Sequence, residues 1–373
     1  MSPRWTRRLH VMHRWAGIVL TANVLVLTLT GLVLVFRHEI DDLLGVPAPP
    51  AEAAGTAPAS MTSVFAHARA AFPGEEVRVV SRDEENPRRL FVSLYPPGGA
   101  RTLEGGHSVA ADAATGRVLP GGALDDTFTG WMLRLHAQLF LGTRGALLLG
   151  VVGAAFLALL ITGAFLYGPF AKGRSFGARR AGWRVGLSDL HKLIGACTWA
   201  WNVVVGATGV LLSVVSLLLR LWSGPELAAM TSAYDGRAVP SSIVSPDVAL
   251  AAAEKVATDR HLALLVVPGT QLSGYYHYAL FMRGTGGLEA RLFEIVLVDA
   301  ATGTVTERRQ LPWYLRAVLV SEPLHFGDYA GLPLKIIWAT FALGTLGLTA
   351  SGVVSFCARR RRRRTLPMAE VAS

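Results

Sequence analysis

Four of the ten histidines stand at matched places in a sequence that repeats itself. His13 is followed by Gly17 four residues on and by Thr30-Gly31 seventeen and eighteen on. His191 is followed by Gly195 and by Thr208-Gly209 at the same distances. Leu135-His136 is followed by Gly142 and by Thr162-Gly163, and Leu324-His325 by Gly331 and Ser351-Gly352, again in step. Imidazole is a good ligand for iron, and two imidazoles from facing helices can supply both axial bonds of one haem iron. The matched places therefore predict two b-type haems, one held by His13 and His191, the other by His136 and His325. His38 is an alternative ligand at the second haem, although its repeat position is Ser216. The glycines suit this use. Residues 18 apart lie five turns apart on one helix face, so His13 shares a face with Gly31, and His191 with Gly209. Gly17 and Gly195 stay within about 40° of those faces. A flat macrocycle beside a helix needs such side-chain-free patches, and small residues also serve helix packing.

The elements that must carry these residues are membrane spans. Of 373 residues, 51% are hydrophobic and 17% charged, against about 25% charged in a soluble domain. Despite a net charge of +10, this composition argues against a disordered or nucleic-acid-binding chain, and no nucleic acid is expected as a partner. Four uncharged apolar runs reach the roughly 20 residues a bilayer crossing needs: Trp15–Phe36, Gly145–Phe170, Leu193–Leu219 and Ile336–Ala358. Sixteen of the 36 Lys and Arg fall in residues 1–14, 169–192 and 359–364. Cytoplasmic loops carry such excesses, so both termini are expected in the cytoplasm, with lipid as the surroundings of the spans. Arg359–Arg364 reads as a stop-transfer cluster. Arg37, Glu39, Asp41 and Asp42 follow the first run where a cleavage site would need small residues, so that run reads as an uncleaved anchor.

The resulting plan is an N-terminus and first span over 1–37, an outer domain over 38–142, and a second span over 143–170. A cytoplasmic loop over 171–192, a third span over 193–219, an outer domain over 220–332, a fourth span over 333–358 and a basic tail over 359–373 complete it. Residues 47–60 read as a Pro/Ala linker. Each outer segment then reads as a helix followed by strands: Ser63–Phe72, Val77–Val80 and Leu90–Tyr95 in the first, Pro246–Thr258, Ala263–Val267, Tyr275–Arg283 and Arg291–Val298 in the second. Each ends in Asp-Ala-Ala-Thr-Gly-x-Val, at Asp112–Val118 and Asp299–Val305. The fold class is thus an α-helical membrane protein, two repeats of helix, αβ domain, helix. Repeats inserted the same way round are related by an axis near the membrane normal.

Other features read as structural. His10, His67, His107, His261 and His277 are expected at the surface or in the core. Gly150-Val-Val-Gly153 reads as helix packing, and Asp83-Glu84-Glu85 and Asp125-Asp126 as solvated turns. Cys197 and Cys357 form no disulfide framework and no haem-attachment motif. No nucleotide-binding fingerprint follows a strand, and a loop of roughly 22 residues is too short for a flavin or nicotinamide domain. Electrons would come from a separate cytoplasmic reductase, a reduced flavin or quinol. Trp183 with Arg179, Arg180 and Arg184 reads as a basic flank with an interfacial Trp, or as a docking point for an acidic donor.

His13-Arg-Trp-Ala-Gly, Leu135-His-Ala-Gln-Leu-Phe-Leu-Gly142, Asp189-Leu-His-Lys-Leu-Ile-Gly195 and Leu324-His-Phe-Gly-Asp-Tyr-Ala-Gly-Leu-Pro-Leu-Lys335 resemble the PepSY-associated transmembrane-helix family over about residues 8–360. The resemblance implies a four-helix core with two PepSY-type periplasmic domains in the bacterial inner membrane. It also implies haem-dependent reduction of a ferric siderophore, with His13, His136, His191 and His325 as the family's histidines. Two other readings remain open: a non-enzymatic regulator of a periplasmic partner, and a component of iron-chelate transport.

Overall fold

The computed structural model describes residues 3–46, 58–84, 86–97, 105–171, 183–327 and 329–365. In chain order the elements are α1 (Pro3–Val35), α2 (Arg37–Leu43), α3 (Met61–Ala71), β1 (Glu76–Arg82), β2 (Arg89–Tyr95), β3 (His107–Asp112), β4 (Val118–Ala123), α4 (Phe128–Gln138), α5 (Gly142–Ala171), α6 (Trp183–Ser213), α7 (Val215–Ser223), α8 (Pro225–Thr231), α9 (Pro246–Val256), β5 (Arg260–Val266), β6 (His277–Gly284), β7 (Phe293–Asp299), β8 (Val305–Gln310), α10 (Trp313–Phe326) and α11 (Gly331–Thr365). Most of the Pro/Ala linker, and Arg179 and Arg180, lie outside the described residues. The chain forms two compact units. One holds residues 1–37, 132–214 and 321–373; the other holds 38–131 and 215–320.

The helical unit contains the four helices long and apolar enough to cross a membrane, α1, α5, α6 and α11. Each packs on two others: α1 on α5 and α11, α6 on α5 and α11. Gly150 and Gly153 of α5 face Ser213 and Val210 of α6, where a Cβ on Gly153 would stand 2.8 Å from Val210 Cγ2. The third apolar run does not continue to Leu219 as expected. α6 stops at Ser213, and α7 begins in the other unit. The leucines beyond that break are apolar because Leu218, Leu219 and Trp222 pack on a protein core. Composition alone cannot tell that core from lipid.

The second unit is one eight-stranded antiparallel sheet of order β4-β3-β2-β1-β5-β6-β7-β8. The two outer segments, expected as separate domains, thus share one sheet. β1 and β5 would each be an unpaired edge; instead Val79, Val80 and Ser81 pair with Val266, Leu265 and Leu264. Val80 opposite Leu265 marks the pseudo-twofold axis. One sheet face is covered by α3 and α9 through Val64, Phe65, Ala68, Ala249 and Ala253. The other face carries Trp222, Leu227, Met230 and Leu315 of α7, α8 and α10 against Phe281, Ile295 and Leu297.

Local signals recur in both copies. Ser60 caps α3 and Ser245 caps α9, each accepting from the N–H three residues on. At the repeated corners, Asp112 accepts from Ala114 N at 3.0 Å, and Asp299 from Ala301 N at 2.8 Å and Thr302 N at 2.9 Å. Gly116 and Gly303 take the positive φ these corners need, +72° and +75°. Of the acidic residues expected as a solvated turn, Glu84 is exposed but Asp83 is not. Asp83 is buried and paired with Arg89 at 2.6 Å, and Glu84 of the first copy binds Arg283 and Arg291 of the second. The partners of Glu84 are distant in the chain, and nothing in the local sequence marks Arg89 as the partner of Asp83.

Candidate functional site

The four matched histidines all fall in the helical unit, and all four are seated alike. His13 on α1 brings Nδ1 to 3.0 Å from Thr162 Oγ1 on α5. His136 on α4 brings Nδ1 to 2.8 Å from Thr30 Oγ1 on α1. His191 on α6 stands 3.0 Å from Ser351 Oγ on α11, and His325 on α10 stands 3.0 Å from Thr208 Oγ1 on α6. Each ring lies against the glycine that follows the hydroxyl. A Cβ on Gly163, Gly31, Gly352 or Gly209 would come 3.2, 3.1, 3.4 or 3.1 Å from the Cε1 of its histidine. Within each repeat the exchange is reciprocal: the histidine of one span sits on the Thr/Ser-Gly of the next, and the histidine preceding that next span sits on the Thr-Gly of the first.

The hydrogen bonds decide the tautomer. Each Nδ1 also meets the carbonyl three residues before its hydroxyl: Leu159, Leu27, Leu348 at 3.0 Å and Val205 at 3.1 Å. A carbonyl only accepts, so Nδ1 carries the proton. The hydroxyls in turn donate to helix carbonyls, as Thr30 does to Val26 at 2.7 Å, Thr162 to Leu159 at 2.8 Å and Thr208 to Val204 at 2.8 Å. In the neutral form of each ring the lone pair is therefore on Nε2. That is how metal-ligating histidines are held, the second nitrogen fixing tautomer and orientation. Burial, then the charge of neighbouring His325, pushes His136 down to about 3. Burial pushes His325 down to about 4. Both rings are neutral at physiological pH.

The two repeats meet at these rings. The centres of His136 and His325 are 6.1 Å apart, with planes at 62°. His191 is close enough to His13 for the two rings to interact electrostatically. Two imidazoles on opposite sides of one metal ion, each bonded at about 2 Å, put their ring centres roughly 6 Å apart.

The remaining expected site residues fall as follows. Gly31 and Gly209 are the seats of the His136 and His325 rings. A Cβ on Gly195 would stand 3.3 Å from Leu348 Cδ1, while nothing lies within 4 Å of one on Gly17. His38 is on α2, in the sheet unit. Sequence reasoning did not assign the four hydroxyls, Thr30, Thr162, Thr208 and Ser351, to the site, nor Gly163 and Gly352. Their signal was present, since each hydroxyl–glycine pair recurs at fixed distance from a histidine.

The family model described as PepSY-associated TM region matches residues 11–359. The chain belongs to this family. No curated protein matches it. Membership accounts for the repeated helix–αβ–helix plan, with four membrane-crossing helices and a sheet unit, and makes this family member a multi-pass membrane protein.

Proposed function

We propose that this family member is a di-haem electron-transfer protein of the bacterial inner membrane that reduces a ferric siderophore in the periplasm, both termini being cytoplasmic by their basic flanks. The observation that carries the proposal is the fourfold histidine seat: Nδ1 of each ring held by a hydroxyl and a carbonyl, leaving Nε2 free to ligate, with the His136 and His325 pair at 6.1 Å. That donor set fits bis-histidine haem. His13 and His191 would hold one haem, His136 and His325 the other. A bound haem supplies one-electron exchange between Fe(III) and Fe(II).

The chain's own part is to hold each ring still. A threonine or serine hydroxyl and a helix carbonyl accept from Nδ1–H, and the glycine leaves room for the Cε1 edge of the ring against the backbone. With two imidazoles per site, a haem held here would exchange electrons and would not bind oxygen. The histidines sit at two levels, His13 and His191 on the spans α1 and α6, His136 and His325 just before the spans α5 and α11, so the two centres divide a hydrocarbon layer of about 30 Å. The siderophore's iron is substrate. As Fe(II) it is held more weakly by hard oxygen donors, so reduction frees it. The electron donor is a separate cytoplasmic reductase, a reduced flavin or quinol.

The test is a dithionite-reduced minus oxidised spectrum of the purified full-length protein with haem counted per chain. Sharp low-spin b-type bands, about two haems per chain, and reoxidation by a ferric hydroxamate siderophore are expected. Folded protein without haem after haem-supplemented expression overturns the proposal, and one haem per chain overturns the paired sites.

A further inference from the structure

A cleft of about 550 Å³ opens in the sheet unit where α3 of the first copy meets the segment leading into α9 of the second. Its walls include Phe65, Val77, Val244 and Val267. Its charged lining is Arg69, Arg78 and Glu76. Arg78 binds Glu76 and gives an Nη1 hydrogen bond of 3.1 Å to Pro268 O. Its Nε is buried with no acceptor. Arg69 makes no ion pair among the described residues and faces the same cleft. Two guanidinium groups against one carboxylate leave one net positive charge. A buried guanidinium N–H without an acceptor is costly, and an exposed neighbour of the same sign adds repulsion. An incoming anion that meets Arg69 and the part-exposed Arg78 side chain relieves that repulsion.

The pseudo-twofold supplies a control within the molecule. Ser60 matches Ser245 and Val80 matches Leu265, both 185 residues apart. The same offset puts Glu254 where Arg69 stands, and Ala263 where Arg78 stands. The repeated architecture therefore does not require these arginines; they belong to one copy only.

We propose that this cleft binds a small organic monoanion with a flat apolar body, of which an aromatic carboxylate is the simplest. The carboxylate is bound by the Arg69 and Arg78 guanidinium groups, in the charge-assisted geometry such groups favour, and the ring lies against Phe65, Val77 and Val267. The volume lies within the ordinary range for small-molecule pockets, about 300–1,000 Å³. The proposal does not depend on haem.

The test titrates full-length protein in a non-ionic detergent with 2-naphthoate by calorimetry, with 2-naphthylmethanol as the uncharged control. Saturable one-site binding of the carboxylate is expected, with the alcohol at least about tenfold weaker. Arg69→Ala weakens the carboxylate by about tenfold while leaving the circular dichroism spectrum unchanged, and Arg69→Lys restores part of the loss. Glu76→Gln tightens binding. Absent saturation, equal affinity for the alcohol, or an unchanged dissociation constant in folded Arg69→Ala overturns the site.

Discussion

In the helical unit, residues at the same repeat position do the same work. Thr30 and Thr208 hold His136 and His325, Thr162 and Ser351 hold His13 and His191, and a glycine lies beneath every ring. In the sheet unit the frame repeats but the charges do not. β2 begins with Arg89 opposite Asp112, and β6 begins with His277 opposite Asp299. Arg89 is ion-paired with Asp83, whereas His277 is fully buried with neither ring nitrogen bonded. The difference separates two demands. Two equivalent centres, as proposed, would require equivalent seats, and the membrane helices keep both copies alike. The sheet needs only its pairing, caps and corners to fold, which leaves its charged positions open to specialisation.

The largest expected effect breaks the symmetry of the helical unit. His325→Ala removes about half of the haem absorbance, and His13→Ala removes the other half, read as haem per chain and as two separable steps in a redox titration. His38→Ala leaves both steps in place; loss of a step would make His38 a ligand and end the matched pairing. Next in size are the hydroxyls. Thr30→Val and Thr208→Val keep the shape but remove an acceptor for Nδ1, and each loosens its haem by about tenfold to a hundredfold, measured by transfer to apomyoglobin.

Much of this architecture was legible in the sequence. The four spans, the two αβ segments and the four histidines follow from apolar run length, charge placement and a repeat readable by eye. The seats were half legible. The glycines at Gly31 and Gly209 stood out, but their role as beds for a histidine ring depends on which helix faces which, and spacing within one helix carries no such information. The single sheet was not legible, because nothing in β1 or β5 names its partner across the repeat. The end of α6 at Ser213 was not legible either, since α7 is as rich in leucine as the span before it.

A smaller effect tests the divergence of the sheet unit. Burial holds His277 below its usual value of 6.5, with the carboxylate of Asp299 opposing. The groups around it are Asp299, whose Oδ2 accepts from Tyr234 at 2.6 Å, the Tyr234 ring at 4.4 Å, and Arg237 stacked on the far ring. Below pH 6.5 the unfolded chain binds a proton the folded one does not. Stability therefore falls as pH drops from 6.5 toward the folded value, by at most about 1.4 kcal/mol per pH unit. Protection of β6 against hydrogen exchange, taken relative to the intrinsic rate at each pH, should fall over that window in the parent and stay constant in His277→Phe.

The smallest effect concerns the helix N-termini across the twofold. Asp247 of α9 reaches over to α3 and accepts from Met61 N at 2.6 Å and Thr62 N at 2.9 Å. The matching residue, Thr62, owes α9 less. Where α3 presents the N–H of Met61, α9 presents Pro246, which has none. Asp247→Ala should therefore cost about 1 kcal/mol, the usual value of a lost cap, and should quicken exchange in α3 and not in α9. Thr62→Val removes a hydroxyl that binds the Asp247 carboxylate but frees no helix N–H, so its cost should stay below about 0.5 kcal/mol. Equal losses from the two substitutions would mean that the caps, like the histidine seats, work symmetrically, and that the copies diverge only in their side-chain charge.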